Sequence, residues 1–290
     1  MMQILPSDLE YAPWSPDEWQ SRFHDKRKFP MQKGDKEKSL LGKGGFASVY
    51  RMHSEGNYYA VKVINMEDLG LDMESAKKEI KILESLKHKH IIQYMGNFVR
   101  DEIDLCLILE FASAGSLAER IGEVFSTDLQ SRMVAQLADG LNYIHNQHII
   151  HGDLKAGNIL LTSVDPGLMQ VKISDFGIAA QLSATIASTR MRSTKSGTAL
   201  YLCPQKGHME KYSYPTDLWS VGCIILELVL RETLKEALWP DARREVLELK
   251  IEAVTKQNQL LGKQASSLLL HDASKRINAF QLHAALRLVR

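Results

Sequence analysis

Between Ser39 and Phe111 apolar and polar residues alternate with a period of two, broken by short polar turns. That alternation marks half-buried strands. The run SLLGKGGFASVYRM predicts two strands around a glycine turn, and after Glu55-Gly56-Asn57 the run YYAVKVI predicts a third. In the third strand Ala60, Lys62 and Ile64 share one face while Val61 and Val63 share the other. Lys62 is therefore a charge among apolar neighbours and requires an anionic partner or ligand. From Asp72 to Lys87 the period lengthens: Met73, Ala76, Ile80 and Leu83 recur at helical spacing and predict one apolar stripe. Glu79 lies on the edge of that stripe and also requires a partner; Glu84 lies on the opposite edge, and geometry separates the two only weakly. Two more strands are predicted around Ile91–Phe98 and Ile103–Phe111.

After Gly115-Ser116-Leu117 the pattern turns helical. Ser126 or Thr127 can cap a helix carrying Leu129, Met133, Leu137, Leu141 and Ile144 on one side. Ile159–Thr162 and Gln170–Ser174 predict short strands joined by an Asp165-Pro166-Gly167 turn. Residues 217–230, DLWSVGCIILELVL, are apolar almost all round, as a helix inside a large helical body would be. The first 37 residues instead mix Pro6, Pro13, Pro16 and Pro30 with Trp14, Trp19 and a basic run, Lys26-Arg27-Lys28. Such proline density resists regular structure. They are expected to form an N-terminal extension, mostly mobile, whose tryptophans could dock on the domain or on a partner. The whole outline is α+β: a strand-rich lobe with one helix (38–112), a larger helical lobe (113–290), and a cleft between them.

Composition narrows the class. Hydrophobic residues make up 44% and charged residues 24% of the 290, ordinary values for a globular protein of this length. A net charge of +1 gives no reason to expect nucleic acid or an anionic membrane surface as partner. The three cysteines, Cys106, Cys203 and Cys223, are odd in number and scattered, which argues against a disulfide scaffold or zinc site and for a reducing compartment. No apolar run reaches the length of a membrane span. A soluble, cytoplasmic protein is the expectation.

The stretch Ile149 to Asn158, IIHGDLKAGN, places a carboxylate, an ammonium and a carboxamide in a short loop after the long apolar helix. These are poor core material, because burying them without partners costs several kcal/mol, on the order of 2–7 for each neutral polar group and more for charges. Together they suit a reaction that removes a proton, neutralises phosphate and holds a metal. The loop resembles the H-R-D-L-K-x-x-N catalytic loop of protein kinases, with Gly152 where arginine is usual. Further along, Asp175-Phe176-Gly177 ends a predicted strand, and upstream stand Gly42-Lys43-Gly44 at a strand turn, Lys62 and Glu79. From about residue 38 to its end, the chain resembles a eukaryotic protein kinase in the order and context of these elements.

That resemblance implies ATP and Mg²⁺ as cofactors and protein serine/threonine side chains as acceptors. It makes Asp153 the base for the acceptor hydroxyl, Lys155 a stabiliser of the transferring phosphoryl group, and Thr198 a contact of both. Lys62, held by Glu79, would bind the α and β phosphates. The glycine-rich turn of Leu41, Gly42, Lys43, Gly44, Gly45, Phe46, Ala47, Ser48 and Val49 would cover the nucleotide, with Ala47 in place of a third glycine stiffening it. Leu41, Val49, Ala60 and Leu160 match adenine-sandwiching positions, Leu109 the back of the pocket, and Glu110 and Ala112 the backbone that pairs with the adenine edge. Asn158 and Asp175 would hold the metal. Lys155 and Gly197-Thr198 resemble the serine/threonine rather than the tyrosine kinases. HIIQYMGNF and DLWSVGCIILEL are similar to the Ste group that activates MAP kinase cascades, whereas GTALY is similar to the initiation-factor-2α kinases; NimA-related kinases also fit. The alternative class is a nucleotide-binding pseudokinase acting as a scaffold or allosteric partner, which the presence of Lys62, Asp153, Asn158 and Asp175 disfavours.

Two departures carry consequences. Gly152 cannot pair with a phosphate on the activation segment, so phosphorylation at Ser188, Thr189, Ser193, Thr194 or Ser196 is not expected to be strictly required. Leu202-Cys203-Pro204-Gln205 stands where A-P-E is usual, so Gln205 is expected to face Arg276 in place of a glutamate, and Gln205→Glu to raise the melting temperature. Asp217 is expected to brace the catalytic-loop backbone.

Overall fold

The computed structural model describes residues 40–44, 47–54, 56–69, 80–81, 83–100, 103–176, 198–207, 213–238 and 243–287. They divide into two compact units: the described residues up to Ser85 with Gln93–Phe111, and Leu86–Ile92 with the described residues from Ala112 onward.

The first unit is built on one antiparallel sheet of five strands, β1 (Leu40–Lys43), β2 (Ala47–Ser54), β3 (Asn57–Asn65), β4 (Tyr94–Arg100) and β5 (Asp104–Glu110), in the order β1-β2-β3-β5-β4. One face packs Met52, Tyr59, Val61, Val63, Phe98, Cys106 and Ile108 into a buried cluster. On the other face Ala60, Ile64, Leu105 and Leu107 are buried too, so the central strands are apolar on both sides. The period-two reading of β3 is correct residue by residue. β4 starts later than predicted, because Ile91 and Ile92 bond to Ile173 before the chain enters the sheet, whereas β5 keeps its predicted place to within one residue at each end. Residues 80–81 and 83–85 are helical, and Leu86 and Lys87 lie beyond that helix although the periodicity ran through them. Glu79 and the stripe positions before Ile80 fall outside the described residues.

Residues 86–92 belong to the second unit for identifiable reasons. Leu86 is buried, Ile91 bridges Ile173, and His90 and Ile92 exchange backbone hydrogen bonds with Ile173 at 2.9 Å. The segment crosses helix α1 (Thr127–Asn146) at Gly140, where any Cβ would lie 2.9 Å from the His90 carbonyl oxygen. Only glycine allows that approach.

Helix α1 is capped by Ser126, whose side chain accepts from the Leu129 amide, and buries Leu129, Met133, Leu137, Leu141 and Ile144 as its spacing predicts. The two-stranded ribbon β6 (Ile159–Leu161) and β7 (Val171–Ile173) follows, closed by a turn in which Asp165 accepts from the Gly167 amide at 2.8 Å. Helix α2 (Tyr214–Leu230) starts three residues before the apolar run, because Ser213 caps it and Pro215 sits in its first turn. Every residue from Thr216 to Val229 in it is buried. Helices α3 (Arg244–Gln257), α4 (Gln259–Leu268) and α5 (Ala279–Leu286) complete the unit. Among the described residues no helix is long and apolar enough to cross a membrane.

Candidate active site

In the first unit, Lys62 pairs across the sheet with Val49 on one side and Leu107 on the other, and Ala60 with Leu109. The sheet thereby sets Val49, Ala60, Lys62 and Leu109 in one connected patch of backbone. The turn before β2 is closed by the Gly44 amide donating to the Ala47 carbonyl at 2.8 Å. Lys43 and Ser48 are paired residues of the hairpin, and Leu41 is an exposed residue of β1. A Cβ at Gly42 would meet nothing within 4 Å. Gly45 and Phe46 lie outside the described residues. Glu110 at the end of β5 receives the Gln93 amide on its carboxylate at 3.2 Å and donates its own amide to the Gln93 carbonyl at 2.9 Å.

The second unit assembles the loop from 151 to 158. Asp217, buried on α2, accepts from the His151 amide (2.9 Å) and the Gly152 amide (2.8 Å), and its carboxylate also contacts His145 Nε2 (2.9 Å). Gly152 has φ +76°, in the left-handed region that costs other L-residues about 1–2 kcal/mol. The bracing expected of Asp217 is present, and His145 is an additional partner. The His151 ring is buried, bonded through Nε2 to the Ser174 carbonyl (2.9 Å), and accepts the Asp153 amide on Nδ1 (3.2 Å). It also lies 5.1 Å, ring to ring, from Phe176.

These supports aim Asp153. Its Oδ2 meets Lys155 Nζ at 2.7 Å and the Asn158 carboxamide nitrogen at 3.1 Å, and that nitrogen also donates to the Asp153 carbonyl at 2.8 Å. Asp153 Oδ1 is buried yet has no hydrogen-bond partner among the described residues. With its nitrogen committed to Asp153, Asn158 has its carboxamide oxygen left to offer. Ser174 joins Asn158 to the end of β7, its amide (2.9 Å) and hydroxyl (3.0 Å) both donating to the Asn158 carbonyl. Asp175 follows with φ +57°, a strained setting that aspartate tolerates better than most residues. Leu160, in β6, bridges Ser116, and Ala112 is buried two residues beyond the end of β5. The structure thus brings Asp153, Lys155 and Asn158 into contact and sets Asp175 directly after Ser174. Thr198 begins a single 3₁₀ turn, Thr198–Tyr201, and its side chain lies outside the described residues.

Gln205 faces Arg276 as expected: its carbonyl oxygen accepts from the guanidinium at 2.8 Å. Its amide nitrogen also donates to the His271 carbonyl at 2.6 Å, a contact that no glutamate could make and that the sequence did not reveal. Arg276 is buried over the Trp219 ring and further donates to the Leu270 and Pro215 carbonyls. Burial pulls its pKa below the ordinary guanidinium value, partly countered by the neighbouring Cys203 thiol.

Sequence reasoning missed other polar groups. Glu227 is buried in α2, bonded to the Tyr201 hydroxyl and to the Leu234 amide (2.9 Å). Burial raises its pKa and those two bonds oppose the rise. A carboxylate in an apolar helix calls for a partner by the same rule that singled out Lys62. A second cluster gathers around Asp139 on α1, with His88, Lys89, His90 and His283 nitrogens at 3.7, 3.2, 3.9 and 3.8 Å. Burial pushes the His90 ring down to about 4, helped by Lys89 and His88 and opposed by the Val171 carbonyl and Asp139. Burial also lowers His88, with Lys89, Lys172 and His283 adding to it and Asp139 resisting. Among the described residues no set of three or more His, Cys, Asp or Glu side chains is placed to hold a metal ion.

A protein kinase domain family model matches residues 36–285. The chain belongs to the protein kinase domain family. Among its relatives, MAP3K epsilon protein kinase 2 of Arabidopsis thaliana is 35% identical over 65% of this chain and 14% of its own length. Human serine/threonine-protein kinase Nek5 is 34% identical over 65% of this chain and 27% of its own. The Aurora kinase of Schizosaccharomyces pombe is 34% identical over 66% of this chain and 52% of its own. This kinase chain therefore spans about half or less of the curated relatives it matches. A crystal structure of Rad53 1-466 in complex with AMP-PNP aligns with a TM-score of 0.68 and 25% identity, over 85% of this chain and 63% of that one.

Proposed function

We propose that this kinase transfers the γ-phosphate of ATP, with Mg²⁺, to serine and threonine hydroxyls of protein substrates in signalling. The observation that carries the reading is Asp153. One carboxylate oxygen is fixed by Lys155 and Asn158, while the other is buried and unpartnered among the described residues. An acceptor held ready at a fixed angle suits removal of a proton from an incoming hydroxyl. The donor set also suits the metal: Asn158 and Asp175 offer the hard oxygen ligands that Mg²⁺ prefers, too few for an all-protein cage and enough for an ion shared with phosphates. The Rad53 structure that this fold resembles holds AMP-PNP, a nucleotide triphosphate analogue.

When bound, Mg²⁺ and ATP supply the phosphoryl group and neutralise its charge. The chain's own residues do the rest. Lys62 binds the α and β phosphates, with Glu79 as its partner, and the turn from Leu41 to Val49 lies over the nucleotide. Ala60, Leu109 and Leu160 contact adenine, and the backbone at Glu110 and Ala112 pairs with its edge. Asp153 takes the hydroxyl proton on Oδ1, Lys155 stabilises the charge that develops, and Thr198 orients both. Transfer from γ-labelled ATP to a generic protein, followed by phosphoamino-acid analysis, tests this. Phosphoserine and phosphothreonine that vanish on Mg²⁺ chelation are expected; label confined to phosphotyrosine would overturn the reading.

A further inference from the structure

Four residues of the second unit close a ring of hydrogen bonds that passes through Asp153. The Asp153 amide donates to His151 Nδ1 at 3.2 Å, and His151 Nε2 bonds to the Ser174 carbonyl at 2.9 Å. A carbonyl only accepts, so Nε2 carries the ring proton and Nδ1 is left to accept. The Ser174 hydroxyl then donates to the Asn158 carbonyl at 3.0 Å, and the Asn158 carboxamide nitrogen returns to Asp153 Oδ2 at 3.1 Å. His151, Asn158 and Ser174 are buried, where such bonds hold geometry tightly. Ser174 stands just before Asp175-Phe176-Gly177 and belongs to neither that motif nor the catalytic loop. Its amide reaches the same Asn158 carbonyl oxygen at 2.9 Å, so the hydroxyl is a second attachment to one atom.

We propose that Ser174 is a positioning residue for the metal-holding pair: its hydroxyl, closing the ring on the Asn158 carbonyl, fixes Asn158 against Asp175 and so sets the affinity of that pair for a divalent cation. The inference rests on the kinase reading above and deepens it at the metal. A lone bond from the Ser174 amide would act as a swivel between the two chain segments. The hydroxyl removes that freedom. Asp175 follows directly with φ +57°, so a rotation at Ser174 is passed on to the Asp175 carboxylate. Mg²⁺ demands near-ideal octahedral geometry, and a displaced oxygen ligand therefore weakens its binding. The effect belongs to the metal rather than to the base, because Lys155 and the Asn158 carboxamide hold Asp153 Oδ2 independently of Ser174.

The test compares the parent chain with Ser174→Ala, which removes only the hydroxyl oxygen, and with Ser174→Thr, which keeps it. Two readouts are taken. One is Mn²⁺ binding in the presence of ADP, followed by electron paramagnetic resonance, because Mn²⁺ accepts the same oxygen ligands as Mg²⁺. The other is phosphate transfer against free Mg²⁺ at saturating ATP. For Ser174→Ala, Mn²⁺ binding is expected to weaken about three- to tenfold, the range of one hydrogen bond. The Mg²⁺ concentration for half-maximal transfer should rise by the same factor, with kcat at saturating Mg²⁺ within about twofold of the parent. Ser174→Thr is expected to restore both. Unchanged Mn²⁺ binding in Ser174→Ala overturns the proposal, as does a Ser174→Thr protein that binds Mn²⁺ as weakly as Ser174→Ala, or a loss confined to kcat or melting temperature. A parent chain that binds Mn²⁺ with ADP yet transfers no phosphate sinks the kinase reading, while the binding comparison still decides the role of Ser174. A parent chain that binds no Mn²⁺ with ADP overturns both.

Discussion

The catalytic loop and the histidine cluster around Asp139 both gather charged groups in the helical unit, yet they hold them on different terms. Around Asp153 and Asp217 the partners stand at 2.7–3.1 Å, with each carboxylate oxygen that is engaged meeting a defined donor. Around Asp139 three imidazoles stand at 3.7–3.9 Å, outside good hydrogen-bond range, and burial keeps two of them below their ordinary pKa. Among the described residues of this cluster Lys89 approaches Asp139 most closely, at 3.2 Å. Burial alone would raise the Asp139 carboxyl; Lys89, through its hydrogen bond and charge, and then His88 and His283 bring it below the ordinary carboxylate range. The first cluster keeps charges fixed for use. The second joins residues 88–90, α1 and α5 through longer contacts, with burial holding His88 and His90 below their ordinary pKa.

Removing the brace tests the first cluster hardest. Asp217→Ala leaves the buried His151 amide and the half-buried Gly152 amide without acceptors and should cost about 2–6 kcal/mol in urea unfolding, about 1–3 for each orphaned donor. A loss below about 1 kcal/mol would mean that the loop holds itself. Acid tests the second cluster next. Because the folded pKa of His90 lies below its unfolded value, the unfolded chain binds more protons between about pH 6.5 and 4. Stability is thus fully present above that window and lost as pH falls through it, by at most about 1.4 kcal/mol per pH unit for one histidine. His90→Gln should flatten the slope of unfolding free energy against pH; an unchanged slope would remove His90 from the cause.

The smallest effect is expected where the partner of a charge is neutral on purpose. Gln205→Glu gains charge pairing with Arg276 but sets a carboxylate oxygen against the His271 carbonyl, where the amide now donates at 2.6 Å. The expected change in unfolding free energy is within about 1 kcal/mol, the scale of one hydrogen bond exchanged for another. This corrects the rise in melting temperature expected from pairing alone, and a calorimetric rise of several degrees would restore that view.

What the sequence made legible follows from locality. Lys62 stood out because its apolar neighbours are adjacent in sequence on one strand, and the catalytic loop because its residues lie within a few positions of one another. α2 was legible as buried, but its uniform apolarity hid Glu227, whose partners, Tyr201 and Leu234, come from outside the helix. The Asp139 cluster was illegible because its members come from residues 88–90, 139 and 283, which no period connects. The start of β4 was misplaced for the same reason: residues 86–92 answer to β7 and α1, not to the sheet that follows them.

The central claim is that Asp153, held by Lys155 and Asn158, is the proton acceptor of a phosphoryl transfer. Transfer from MgATP to a generic protein by Asp153→Asn, against the parent chain at equal folded concentration, tests it most directly. Loss of transfer by about 10²–10⁴-fold, with nucleotide binding retained, is the predicted result. Transfer within a few-fold of the parent would contradict the assignment.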